Sequence, residues 1–109
     1  MSSEKSQVEF IVDQIVCNAV ISFRKMFGEY AIYYNNKVVA LVCDNQLFVK
    51  PTTAGQAFIG AINEAPPYPG AKMYFLIEDK IDNSAWLSEL INLTANELPE
   101  PKIKKPKKK

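Results

Sequence analysis

At 109 residues the chain has room for one domain with one core, and 48% hydrophobic against 23% charged residues places it with globular proteins and away from disordered ones. Its formal net charge of +1 hides an asymmetry: residues 101–109, PKIKKPKKK, carry six lysines and no acid, which leaves the first hundred residues at about −5. Apolar runs such as VVALVC fall far short of the roughly 20 residues a membrane helix needs, and the lack of histidine, with only Cys17 and Cys43 far apart, leaves little from which to build a zinc site.

The N-terminus, MSSEKSQVEF, has no basic segment leading into an apolar one, so no secretory signal is expected, and a cytoplasmic chain with two reduced thiols is the simplest expectation. Val8, Ile11, Val12 and Ile15 recur at helical spacing with Glu9, Asp13 and Gln14 between them, which predicts a first helix ending near Asn18. From Val20 the pattern becomes β-branched and aromatic, interrupted by Asn35-Asn36 and Asp44-Asn45. Asn and Asp tolerate the positive φ that a two-residue primed hairpin loop requires, so three antiparallel strands are expected over 22–34, 37–43 and 46–50.

Two-residue loops fix a register: Tyr34 faces Lys37, Tyr30 faces Leu41, Cys43 faces Gln46 and Leu41 faces Phe48. One sheet face then carries Tyr30, Ile32, Tyr34, Val39, Leu41 and Phe48, and the other Ala31, Tyr33, Val38, Ala40, Val42, Leu47 and Val49. Neither is polar, so both need cover. Either helices wrap both faces, or the aromatic face of Tyr30 and Phe48 meets a second copy in a homodimer.

After Pro51, TTAGQAFIGAINEA predicts a second helix capped by Thr52 or Thr53 and weakened by Gly55 and Gly60. PPYPG, 66–70, reads as a rigid connection and KMYFLIE as a strand. Asp82 or Asn83 caps a last helix whose apolar face is Trp86, Leu87, Leu90, Ile91, Leu93 and Leu98, and Pro99 stops it. The order is α-β-β-β-α-β(-β)-α, a two-layer α+β domain over 1–98, with 99–109 expected to be a disordered lysine-rich tail.

Chemistry is sparse. No histidine can serve as general base, no serine or cysteine triad is visible, and Cys17 reads as a structural thiol. Glu78, Asp79 and Asp82 read as caps and dipole partners rather than as a cation site, and the scattered glycines make no phosphate loop. No catalytic residue, cofactor or metal is assigned, and the chain reads as a non-enzyme.

The stretch RKMFGEYAIYY, 24–34, admits two readings. Gly28 marks a bend or bulge in a long strand, with Met26 and Phe27 turning toward the core. Alternatively the bend presents Arg24, Glu29 and Tyr30, together with Tyr34 and Phe48, as a contact surface.

The longer run RKMFGEYAIYYNNKVVALVCDNQLFVKP resembles the N-terminal domain of the TfoX/Sxy family of bacterial competence regulators. Arg24, Met26, Phe27, Gly28, Tyr30, Ile32, Tyr33, Ala40, Leu41, Leu47 and Lys50 match its pattern, as do PYPGAKMYFLIED and the closing helix over 84–98. Glu29 stands where many members have a second glycine, and Ala31 where many have a third. Members that regulate competence commonly carry a further C-terminal domain, where this chain has its lysine run. The resemblance implies a two-layer domain with a curved antiparallel sheet and no catalytic residues. It also implies a role in regulating DNA-uptake genes, exercised through a protein partner of the transcription-regulatory kind. The residues themselves offer an alternative: Lys102, Lys104, Lys105, Lys107, Lys108 and Lys109 can neutralise phosphates without reading bases, giving weak, salt-sensitive nucleic-acid association. No membrane partner is expected, since neither an acylation motif nor an amphipathic basic helix accompanies the tail.

Overall fold

The computed structural model describes residues 4–26 and 29–98. In chain order these form α1 (Lys5–Gln14), β1 (Ile21–Met26), β2 (Glu29–Tyr34), β3 (Lys37–Cys43), β4 (Gln46–Val49), α2 (Thr53–Ile59), β5 (Glu64–Ala65), β6 (Tyr74–Ile77) and α3 (Ser84–Glu97). The strands make one antiparallel sheet in the order β1-β2-β3-β4-β6-β5, so the α+β class stands as expected.

The stretch expected as one strand over 22–34 is two. β1 pairs with β2, Met26 lying opposite Glu29 and Ile21 opposite Tyr34. A single strand of that length would project past the seven-residue β3 with its backbone groups unpaired; folding back on itself pairs them. Of the expected bend, Phe27 and Gly28 lie outside the described residues. Met26 does not turn into the core: it is 42% exposed, at the end of an edge strand and on the face away from the helices.

Both expected hairpin loops are present. Tyr34 faces Lys37 across Asn35, whose φ is 57°, and Cys43 faces Gln46 across Asp44 and Asn45, at φ 55° and 60°. Between the loops the expected register fails. Tyr33 is opposite Val38 but Ile32 is opposite Ala40, so Val39 is an extra residue and Tyr30 faces Val42 instead of Leu41. One bulged residue moves every side chain beyond it to the other face.

As a result Tyr30 and Ile32 share a face with Ala40, Val42, Leu47 and Val49, and all three helices pack there through Val8 and Ile11 of α1, Ile59 of α2, and Leu87, Leu90 and Ile91 of α3. The opposite face holds a second apolar cluster, Ala31, Leu41, Cys43 and Phe48, flanked by Tyr33, Val38, Ala65, Tyr74 and Leu76 and, among the described residues, joined by none from a helix. Of the two covers expected, wrapping of both faces by helices does not occur among the described residues. Pro67, in the connection between β5 and β6, is buried and lines a pocket together with Leu41 and Cys43.

Helix ends are closed by side chains. Thr52 Oγ1 accepts from Gly55 N at 3.0 Å and Asn83 Oδ1 from Trp86 N at 3.1 Å, so of the alternatives Thr52 or Thr53 and Asp82 or Asn83 the caps are Thr52 and Asn83. α2 stops at Gly60, at φ 83°, and Glu64-Ala65, expected to be helical, pair with β6. The last turn of α3 is held twice. Lys37 Nζ donates to Ala95 O at 2.7 Å and Leu98 O at 3.0 Å, and Glu97 accepts from Thr53 N at 2.8 Å and Ala54 N at 2.9 Å. Lys37→Met keeps the stem but removes a charged donor from two helix-end carbonyls; a loss of about 2 kcal/mol is expected, read as a lower urea midpoint at unchanged m.

The same contacts set a pH dependence. Hydrogen bonds from Ala54 and Thr53 hold the Glu97 carboxyl below its ordinary value of 4.5. A depressed folded value means that the contribution is complete above the ordinary value and is lost as pH falls through the folded one. Glu97→Gln is therefore expected to flatten the acid limb of stability against pH, below about pH 4.5, measured by urea unfolding across that range.

Candidate pocket on the open sheet face

A pocket of about 590 Å³ lies where the strand ends meet the β5–β6 connection, lined by Met26, Glu29, Tyr30, Leu41, Cys43, Asp44, Pro67, Tyr68 and Pro69. Its floor is part of the helix-free cluster, with Leu41 6% and Cys43 3% exposed. Its outer wall is the proline-rich segment, where fixed φ at Pro67 and Pro69 limits how Tyr68 can move and leaves that ring 55% exposed.

Carboxylates occupy one side. Glu29 Oε1 accepts from Asp44 N at 3.1 Å, joining the start of β2 to the β3–β4 loop. That loop is also tied to α1: Asn45 Oδ1 accepts from Glu4 N at 2.9 Å, and Gln7 Nε2 donates to Asn45 O at 3.4 Å. Asn45→Ala places at φ 60° a residue without the polar side chain that tolerates the left-handed region and removes the Glu4 partner. About 2 kcal/mol of destabilisation is expected, against little for Asn45→Gly, compared by urea midpoints.

Burial, and then the charges of Glu29 and Asp44, push the Cys43 thiol up to about 11. That favours the protonated thiol at neutral pH. Cys17 is half-buried in a separate depression beside Ser88, Glu89 and Asn92, its Sγ 3.7 Å from Ala19 O. Among the described residues, Glu78, Asp79 and Asp82 included, no group of three or more His, Cys, Asp or Glu side chains could hold a metal ion.

The five side chains expected to share a contact surface are divided by the bulge. Arg24, opposite Ala31, lies on the helix-free face with Glu29 and Phe48. Tyr30 is turned to the helix side, 7% exposed and edge-on to Phe23 at 5.8 Å and 78°. Tyr34 is there too, its hydroxyl donating to Asn92 Oδ1 at 2.6 Å. Lys102, Lys104, Lys105, Lys107, Lys108 and Lys109 lie outside the described residues. Sequence reasoning passed over Asp44, Tyr68 and the prolines as mere connections. The available signal was a tyrosine between two prolines in a chain with an apolar sheet face left to cover.

Residues 15–98 match the family model of the TfoX N-terminal domain. A protein of Spirochaeta aurantia, described as an uncharacterized 12.7 kDa protein in the trpE 5' region, is 39% identical over 109 residues, spanning 100% of this chain and 95% of its own length.

Proposed function

The chain belongs to the TfoX N-terminal domain family, and from that premise we propose that it is a non-enzymatic regulator of competence genes that acts by contact with other proteins. One observation carries this reading. The two stretches on which the family resemblance rests, MFGEY and PYPGAK, are distant in sequence, yet Met26 and Glu29 from the first and Pro67, Tyr68 and Pro69 from the second border one apolar pocket. It lies on the face that no described helix covers, with exposed Met26 and Tyr68, residue types favoured in interface cores. The test is affinity capture with the tagged full chain from a native extract treated with nuclease. A specific transcription regulator is expected to be retained; its release by nuclease, or recovery of none, overturns the reading.

The six lysines of 101–109 support a second reading, non-specific nucleic-acid association. If all six neutralised phosphates of a duplex, log K would fall against log salt with a slope of about −5, reduced by the acidic body. Titrating labelled duplex with the full chain and with a full chain carrying glutamine at the six positions decides it. Equal binding by both removes this reading.

A further inference from the structure

We propose that the pocket takes a segment of a partner protein that presents an apolar side chain beside a lysine or arginine. The inference rests on the protein-contact reading above and adds the chemistry of the contact. The apolar half follows from the lining: a buried floor at Leu41 and walls at Met26 and Tyr68, 42% and 55% exposed, whose surface an entering side chain would remove from water. At about 590 Å³ the space suits side chains of an extended segment.

The basic half follows from charge. Glu29 and Asp44 are the ionisable acids among the described lining residues, and no lysine or arginine is among them. The hydrogen bond from Asp44 N fixes the Glu29 carboxylate at the rim. Both charges reach the floor, since both push the Cys43 thiol upward beneath them. Walls of low dielectric strengthen such a field toward an incoming cation and against an anion. The exposed ring of Tyr68 offers a guanidinium a face to stack on. Arg24 is on the same sheet face, but its pair with Ala31 sets it one step along from the Met26–Glu29 pair, and it does not line the pocket.

The experiment selects displayed random peptides on the immobilised full chain and measures the enriched peptides by fluorescence anisotropy. They are expected to share an apolar residue next to lysine or arginine and to bind more weakly as salt rises. Two variants read the pocket. Glu29→Gln with Asp44→Asn removes two charges while keeping an acceptor for Asp44 N and a side chain that tolerates φ 55°; about a three- to tenfold loss is expected. Tyr68→Ala, at an exposed site outside the helix-packed core, is expected to cost about tenfold. No enrichment, an acidic consensus, or affinities unmoved by both variants overturns the proposal.

Two further outcomes overturn it by naming another occupant. One is a wild-type dimer by light scattering that Tyr68→Ala makes monomeric, which assigns the pocket to a second copy. The other is peptide affinity raised fivefold or more when the six terminal lysines become glutamine, which assigns it to the chain itself. A regulator captured equally by wild type and by both pocket variants overturns this inference and leaves the protein-contact reading standing. Peptides that meet every expectation, with no regulator captured, support the pocket chemistry and overturn that reading.

Discussion

Phe75→Ala is expected to destabilise the domain by about 3–5 kcal/mol, a large part of the roughly 5–15 kcal/mol that holds a domain of this size folded. Phe75 is 2% exposed and is among the largest side chains fully enclosed by the core. It stands on β6, and β5, only two residues long, pairs with β6 alone. Removing the ring therefore leaves a cavity between sheet and helices and loosens the root of the segment that carries Pro67, Tyr68 and Pro69. The urea midpoint is expected to fall at constant m, and amides around β5 and β6 to exchange faster than the global loss accounts for. Phe75→Leu, which refills most of the space, is expected to recover more than half of the loss. A Phe75→Ala cost below about 1 kcal/mol would mean that the core closes over the vacancy and that β6 is held by other contacts.

Gly55→Ala is expected to cost about 2–3 kcal/mol, although the same exchange inside an ordinary helix gains roughly 0.5–1 kcal/mol. A Cβ at position 55 would stand 2.7 Å from Thr52 Oγ1, 3.3 Å from Leu90 Cδ1 and 3.6 Å from Phe75 Cε2. The nearest of these is the capping atom that accepts from Gly55 N. If the Thr52 hydroxyl rotates away the cap is lost, worth about 1 kcal/mol, and Leu90 must still yield in a filled core, at about 1–3 kcal/mol. The two sites are therefore coupled. In a Thr52→Ala background the clashing oxygen is gone, and Gly55→Ala is expected to cost at least about 1 kcal/mol less, which a double-mutant cycle measures. Additivity within about 0.3 kcal/mol, or a stabilised single variant, would show that α2 sits farther from α3 than described.

The sequence was legible wherever a local rule decided the outcome. Asp44-Asn45 specified its hairpin through the tolerance of both residues for positive φ, and Cys43 opposite Gln46 and Leu41 opposite Phe48 followed from the loop length. The pairs Thr52-Thr53 and Asp82-Asn83 announced the starts of their helices, with Thr52 and Asn83 as the residues that cap them. What escaped was set by contacts between distant segments. Nothing in VVALVC marks Val39 as the extra residue, because a bulge between two apolar strands leaves the apolar pattern intact while changing which residues share a face. The β1–β2 hairpin was hidden because aromatic and branched residues continue on both sides of it, without the paired Asn or Asp that announced the others.

The pocket was half legible for the same reason. The shortage of cover for a two-sided apolar sheet could be counted from composition and register, but not that part of the cover would come from PPYPG. Gly55 was legible only as a weak helix former; its reason for being glycine is the approach of Thr52, Leu90 and Phe75 from three other places in the chain.

β1 is one margin of the sheet, and its outer backbone groups have no strand beside them among the described residues. A bare margin of this kind is where sheets from separate molecules join and keep joining into fibres. Arg24 and Lys25 are adjacent and exposed on this strand, so alternation sends one cation to each side of the sheet. Two molecules meeting margin to margin would bring like charges together above and below the seam. Like charges on both sides of the seam oppose such joining, so the two residues that give this edge its basic character also raise the cost of adding a further strand to a chain rich in β-branched and aromatic residues.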